Sequence, residues 1–326
     1  VARLTISPRA FSVLCWISLV TVLANVATGA AVRLSNSGLG CPDWPTCAHR
    51  RLTPPLSLHP VIEFGNRMVV FVLVVACAAT WVASLVRRPR RRDLRWLSGG
   101  LVLGVLAEAV FGAVVVYTHL NAYVVMTHFM VGIALLTVAV ELTLRAREAP
   151  GPGIPAVAGR ARWLTRGYLV LLAFAVGAGT ATTGAGPHAG GADAKRVPVA
   201  LADMARIHAE LALAAGVLLL VLLWSLWRSD APARVQDRGR ILLVAMVLQG
   251  VVGYTQYFTH LPAVLVGVHV LGASLVWSAA LWFHHGLCDR APEAADGEAP
   301  SVDRGPGRAA PVDGATSLPE PVVEPA

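Results

Sequence analysis

Residues 117–132 (YTHLNAYVVMTHFMVG) and 258–273 (FTHLPAVLVGVHVLGA) align without a gap at a shift of 141 positions. In each stretch a Thr-His-Leu turn closes one apolar segment and a second apolar segment begins. Another histidine follows nine positions after the first, giving His119 and His128, then His260 and His269. Six of the sixteen positions are identical, both histidines and the turn leucine among them. An imidazole is costly to bring into a membrane, so one repeated at the same depth in two halves of a chain marks a site. The doubling also divides the apolar part of the chain into two copies of one unit.

Working outward, the chain has 326 residues, 56% of them hydrophobic and only 14% charged. Its mean hydropathy is +0.62. Such a composition departs from that of soluble domains and predicts an integral membrane protein. The net charge of +8 resides in short arginine runs between apolar stretches, a membrane-orientation pattern that excludes nucleic acid as a partner.

Eight stretches are long enough to cross a bilayer as helices: 11–32, 61–86, 96–117, 122–144, 167–186, 203–227, 241–258 and 263–284. The first is too long for a signal peptide and lacks a small-residue cleavage site, so it is read as a helix. Connections 87–95, 145–166 and 228–240 carry the arginines, whereas alternate connections hold at most a pair, Arg50 with Arg51 and Lys195 with Arg196. Basic connections stay inside, which predicts cytoplasmic termini. The final segment is rich in Pro, Ala, Gly, Asp and Glu without apolar periodicity, the composition of a disordered tail.

The duplication extends further, since residues 28–40 (TGAAVRLSNSGLG) align with 176–188 (VGAGTATTGAGPH) at a shift of 148. Helices one to four are thus repeated as five to eight. The predicted fold is an all-α integral membrane protein whose eight transmembrane helices form two tandem parallel four-helix bundles. Its divisions are a cytoplasmic N-terminus over 1–10, an N-terminal bundle over 11–144, a basic cytoplasmic linker over 145–166, a C-terminal bundle over 167–284 and a disordered cytoplasmic tail over 285–326.

In this topology the even helices enter from outside. Asn66 and His208 lie about five residues into their helices and His128 and His269 about six, roughly 8–10 Å below the outer surface. His208 and His269 come from the two even helices of the second bundle, as two neutral imidazoles clamping a haem iron must. In the first bundle His128 keeps its place and Asn66 stands where the second imidazole would be. One intramembrane histidine more often makes a helix–helix hydrogen bond. Three at matched depth in a repeated frame favour haem. Zinc is disfavoured because no ligands recur at the short spacings of zinc sites.

The remaining candidates keep two readings each. His119 and His260 either solvate a helix end or touch a haem edge. Glu63 and Arg67, four apart on one helix, form an interfacial ion pair, or else handle protons and neutralise a haem propionate. Arg33 and Arg206 serve propionates or snorkel. His49, His59, His188, His284 and His285 fall outside the repeat frame and are set aside. Cys41 and Cys47 share an outer loop in an oxidising compartment, so a short-range disulfide is expected, either structural or electron-exchanging.

The run from Gly29 through Arg33, Ser37, Gly38 and Gly40-Cys41-Pro42-Asp43-Trp44-Pro45-Thr46-Cys47, followed by Glu63-Phe64-Gly65-Asn66-Arg67, resembles the signature of the haem A synthase family. The resemblance covers roughly residues 10–285. It implies an oxidoreductase of a bacterial cell membrane that converts the C8 methyl of haem O to a formyl group by successive hydroxylations, making haem A for terminal oxidases. It also implies haem b on His208 and His269 in the C-terminal half and the substrate haem O, through its iron, on His128 in the N-terminal half. Glu63 and Asn66 then join His128 in catalysis, with Arg33, Arg67, Arg206, His119 and His260 as haem contacts. The partners implied are an external electron donor, the lipid membrane, haem O synthase and oxidase assembly proteins, with self-association open. The family pattern has a histidine where this chain has Asn66, so His128 is expected to ligate alone, leaving the other face of the iron open beside the Asn66 amide. Two further readings are a dihaem b-type electron carrier linked to quinol and a repeat-built transporter; neither accounts for the outer-loop signature.

Overall fold

The computed structural model describes residues 5–47, 53–191 and 194–292. His49, Arg50, Arg51 and most of the expected tail lie outside them. Eight helices follow in order: α1 (Pro8–Leu34), α2 (Leu58–Val86), α3 (Arg92–Tyr117), α4 (Ala122–Arg145), α5 (Gly159–Ala185), α6 (Leu201–Arg228), α7 (Ala233–Phe258) and α8 (Ala263–His285). Each is long and apolar enough to cross a membrane. The shortest has 23 residues and the longest 29, or about 35–43 Å of helix.

Local chemistry sets several boundaries. Ser7 caps α1 by accepting from Ala10 N, and Pro8 occupies the first turn, where its missing N–H costs nothing. Asn121 caps α4 by accepting from Tyr123 N at 3.0 Å. The two Thr-His-Leu turns share one geometry. His119, Leu120, His260 and Leu261 all have left-handed backbones, with φ of 51°, 60°, 63° and 58°. Leu120 N reaches back to Val115 O, and Leu261 N to Gln256 O. Each turn thereby satisfies carbonyls at the end of one helix before the next begins.

Helices α5 and α7 begin eight residues earlier than the apolar pattern places them, at Gly159 and Ala233 rather than 167 and 241. Arginine is a good helix former, so the helices continue past the apolar core through Arg160, Arg162 and Arg166, and through Arg234, Arg238 and Arg240. Their guanidinium groups sit over tryptophan rings, Arg166 on Trp163 at 4.8 Å and Arg238 on Trp282 at 4.7 Å.

Within the first half α1 packs on α2 and α4, and α3 on α2 and α4; within the second, α5 packs on α6 and α8, and α7 on α6 and α8. The halves meet where α1 and α4 touch α8 and where α4 touches α5. Leu19, Leu73, Leu101 and Leu136 fill the first interior; Leu172, Leu219, Leu242 and Phe283 fill the second. Polar side chains link neighbours, as Ser18 with Thr80 at 2.9 Å and, between the halves, Trp277 Nε1 donating to Thr137 Oγ1 at 2.8 Å. The outer surface is apolar, with Phe71, Leu103, Phe174, Leu213 and Leu248 all exposed. In water so broad an apolar belt would aggregate; facing lipid it is in its own solvent.

At the arginine-rich end, strands β1 (Ile154–Pro155) and β2 (Cys288–Asp289) pair antiparallel, and Glu148 bridges to Pro292. The start of the expected tail and part of the expected linker are therefore ordered against each other. His285 Nε2 contacts the Glu148 carboxylate at 2.8 Å and Arg290 lies 3.7 Å from it, charges that favour the pairing over free ends.

Candidate functional site

The helices bring Asn66, His128, His208 and His269 to one level, six to eight residues inside the starts of α2, α4, α6 and α8. Each side chain faces a glycine of an odd helix. A Cβ on Gly179 of α5 would lie 3.0 Å from His208 Cε1, and one on Gly253 of α7 would lie 3.0 Å from His269 Cε1. In the first half the corresponding approaches are looser, 4.0 Å from Gly29 to Asn66 Oδ1 and 3.9 Å from Gly112 to His128 Cε1. A Cβ at Gly179 or Gly253 would require the facing ring to give by a few tenths of an ångström.

His208 and His269 come together, with ring centroids 6.0 Å apart and planes at 84°. His208 Nδ1 lies 2.8 Å from Ala175 O. A carbonyl can only accept, so Nδ1 carries the proton and Nε2 is the bare lone pair. Metal-ligating imidazoles adopt this state, their second nitrogen fixed by a backbone oxygen. Two imidazoles on one metal at bonds of about 2 Å place their ring centres roughly 6 Å apart, which this pair matches. His269 is steadied through its main chain, its carbonyl accepting from Gln249 Nε2 at 2.8 Å. Its Nδ1 is buried without a hydrogen bond. An orphaned imidazole nitrogen beside a correctly presented one is a donor set that fits a haem iron.

The first half is built differently. Thr28 Oγ1 donates to Asn66 Oδ1 at 2.7 Å, which leaves the Asn66 amide hydrogens for another acceptor. His128 has a neighbour unforeseen from the sequence: Glu108 of α3 places Oε1 3.5 Å from His128 Nδ1. Both atoms are buried and neither makes a hydrogen bond. The signal was present, since Glu108 is an ionisable residue inside an apolar run and stands 141 positions before Gln249.

Glu63 and Arg67 do pair, at 2.5 Å, but both turn to the outer loop. Cys41 and Cys47 are joined by a disulfide. Glu63 Oε2 accepts from Cys41 N at 2.7 Å. Arg67 donates to the carbonyls of Cys41 at 3.0 Å, Asp43 at 2.7 Å and Pro45 at 3.3 Å, and also to that of Thr46. Its fork is thus occupied by the loop carbonyls and Glu63. Arg33 Nε likewise donates to His188 O at 2.8 Å, and His188 Nε2 donates to Leu261 O at 2.8 Å, tying the end of α1 to the second half. Arg206 is exposed and pairs with Glu210 at 2.8 Å. Residues two apart on a helix face different ways, so it does not share the side of His208. His119 and His260 are exposed in their turns, away from the level of the four central residues.

Among the described residues, eight apolar helices around inward-turned imidazoles define a multi-pass α-helical membrane protein with a candidate site between its helices. The chain belongs to the family of cytochrome oxidase assembly proteins (COX15-CtaA), whose model matches residues 12–61 and 57–281. Among characterised sequences it is similar to Heme A synthase of Geobacillus kaustophilus, 37% identical over 142 residues, which is 42% of this chain and 44% of that protein. It is 36% identical to Heme A synthase of Geobacillus thermodenitrificans over 130 residues, 38% and 40% of the two chains. Heme A synthase of Bacillus pumilus is 33% identical over 139 residues, 41% and 44%. The chain spans less than half the length of each of these relatives.

Proposed function

We propose that this protein is a haem A synthase, an oxidoreductase that takes haem O and oxidises its C8 methyl group to a formyl group by successive hydroxylations. The reading is carried by the facing pair His208 and His269, at 6.0 Å and with Nδ1 of His208 fixed, in a chain of this family. Haem iron, when bound, supplies the oxygen activation and electron storage that no side chain can.

The chain's own residues divide the remaining work. His208 and His269 hold haem b in the second half, and His128 holds the iron of haem O in the first. Asn66, its oxygen occupied by Thr28, supplies amide hydrogens beside the substrate. Glu63 passes protons at the rim of the first half, a role separate from its grip on Cys41. Electrons come from an external donor. The protein resides in a bacterial cell membrane with the arginine-rich connections and both termini in the cytoplasm, where basic loops are retained. Haem O synthase and oxidase assembly proteins are the partners that fit this place. The dihaem carrier reading finds no support in the family or in the names of the relatives.

The test is chromatography of haems extracted from cells expressing the chain together with a haem O source. Haem A or its hydroxylated precursor is expected; haem O alone overturns the assignment. His128→Ala is expected to abolish conversion while the absorption of the second-half haem persists. Glu63→Gln is expected to stall turnover with the Cys41–Cys47 bond intact, and wild-type product ratios would remove Glu63 from the mechanism.

A further inference from the structure

The 141-residue frame that superposes His128 on His269 also places Gly112 on Gly253 and Glu108 on Gln249. The last pair differs in a way that bears on the imidazoles. Gln249 turns to the backbone of its histidine, donating to His269 O. Glu108 addresses the ring itself, Oε1 standing 3.5 Å from His128 Nδ1. The carboxyl is 7% exposed, and its Oε1 makes no hydrogen bond. It lies over Gly132, one turn beyond His128, where a Cβ would come within 3.6 Å of Oε2. A carboxyl placed among apolar helices without a partner is expensive, so its presence calls for an offsetting interaction.

The gap of 3.5 Å is too long for a good hydrogen bond, and a small turn of the imidazole about its soft outer torsion closes it. Nδ1 then donates to the carboxyl and Nε2 is left as the lone pair, the state that a carboxylate imposes on a metal-ligating histidine. We propose that Glu108 is a positioning residue of the first half: it fixes the tautomer and orientation of His128 and strengthens the imidazole as a donor to haem iron. The proposal rests on the reading of His128 as a haem ligand. It gives the halves different means of holding a haem, two imidazoles in one and a single carboxyl-backed imidazole in the other. A stronger donor favours ferric over ferrous iron, so the first-half haem has the lower reduction potential that Glu108 imposes.

The experiment is a spectroscopically monitored redox titration of the purified full chain loaded with haem b in both halves, comparing Glu108→Gln, Glu108→Ala and His128→Ala. Glu108→Gln removes the ionisable group but keeps an acceptor. It is expected to raise the potential of one component and leave that of the His208–His269 component in place. Glu108→Ala is expected to do the same and to weaken haem binding in the first half by about 10–100-fold. If both variants leave the potential and affinity unchanged while His128→Ala removes that component, the positioning role is overturned. Loss of both components in Glu108→Gln marks the residue as structural and overturns it equally. If His128→Ala keeps both components, the ligand reading fails instead.

Discussion

The two halves of the molecule share a frame and differ in what they put into it. In the second half two imidazoles face each other at 6.0 Å, each so close to a glycine that an added Cβ would lie 3.0 Å from the ring. In the first, one position is an amide, the glycine contacts relax to about 4 Å, and a carboxyl stands behind the remaining imidazole. A symmetric, saturated ligand set suits a group that stays bound and only exchanges electrons. An asymmetric set with one imidazole and more room suits a group that must enter, react and leave. On the proposed function, one frame serves both halves and a few side chains separate their tasks.

The comparison can be broken at its strongest point first. His208→Ala or His269→Ala is expected to abolish the absorption spectrum of a haem with two imidazole ligands, and an unchanged spectrum would remove the second-half site. Next, Asn66→His gives the first half the imidazole it lacks. A second haem of the same spectral type as that on His208 and His269 is expected in the first half; an unchanged absorption spectrum would show that position 66 does not face the haem iron. The smallest effects come from the glycines. Gly179→Ala and Gly253→Ala force a Cβ against a ring and are expected to cost about 1–3 kcal/mol. Gly29→Ala and Gly112→Ala meet only ordinary contacts and are expected to be neutral or to gain up to about 1 kcal/mol from helix propensity. Thermal unfolding of the four variants in detergent measures the contrast.

Much of this was legible in the sequence because lipid imposes simple rules. Hydropathy alone located all eight helices, and the repeat at 117–132 and 258–273 placed His128 and His269 at one depth. The starts of α5 and α7 were misplaced because hydropathy marks where the apolar core begins, whereas a helix continues through arginines that favour it. Glu108 lies in the same frame as the histidines, but a lone carboxyl in an apolar run carries no ligand pattern of its own, and its nearness to His128 depends on how α3 packs on α4. For Arg67 the four-residue spacing indicates the ion pair with Glu63 but not its other partners. These are loop carbonyls, and their positions depend on a chain path between Cys41 and Cys47 that no periodicity describes.

The Thr-His-Leu turns act as a ruler. Each reverses the chain through two consecutive left-handed residues, after which a fixed count of positions carries the buried histidine to its depth. One residue added between His119 and His128 would swing the imidazole about 100° around the helix axis and lower it by about 1.5 Å. One added ahead of the turn would fall in α3 and swing Gly112 and Glu108 by the same angle relative to the imidazole they face. Insertion should therefore be tolerated on neither side of His119 or of His260, although neither residue reaches the interior.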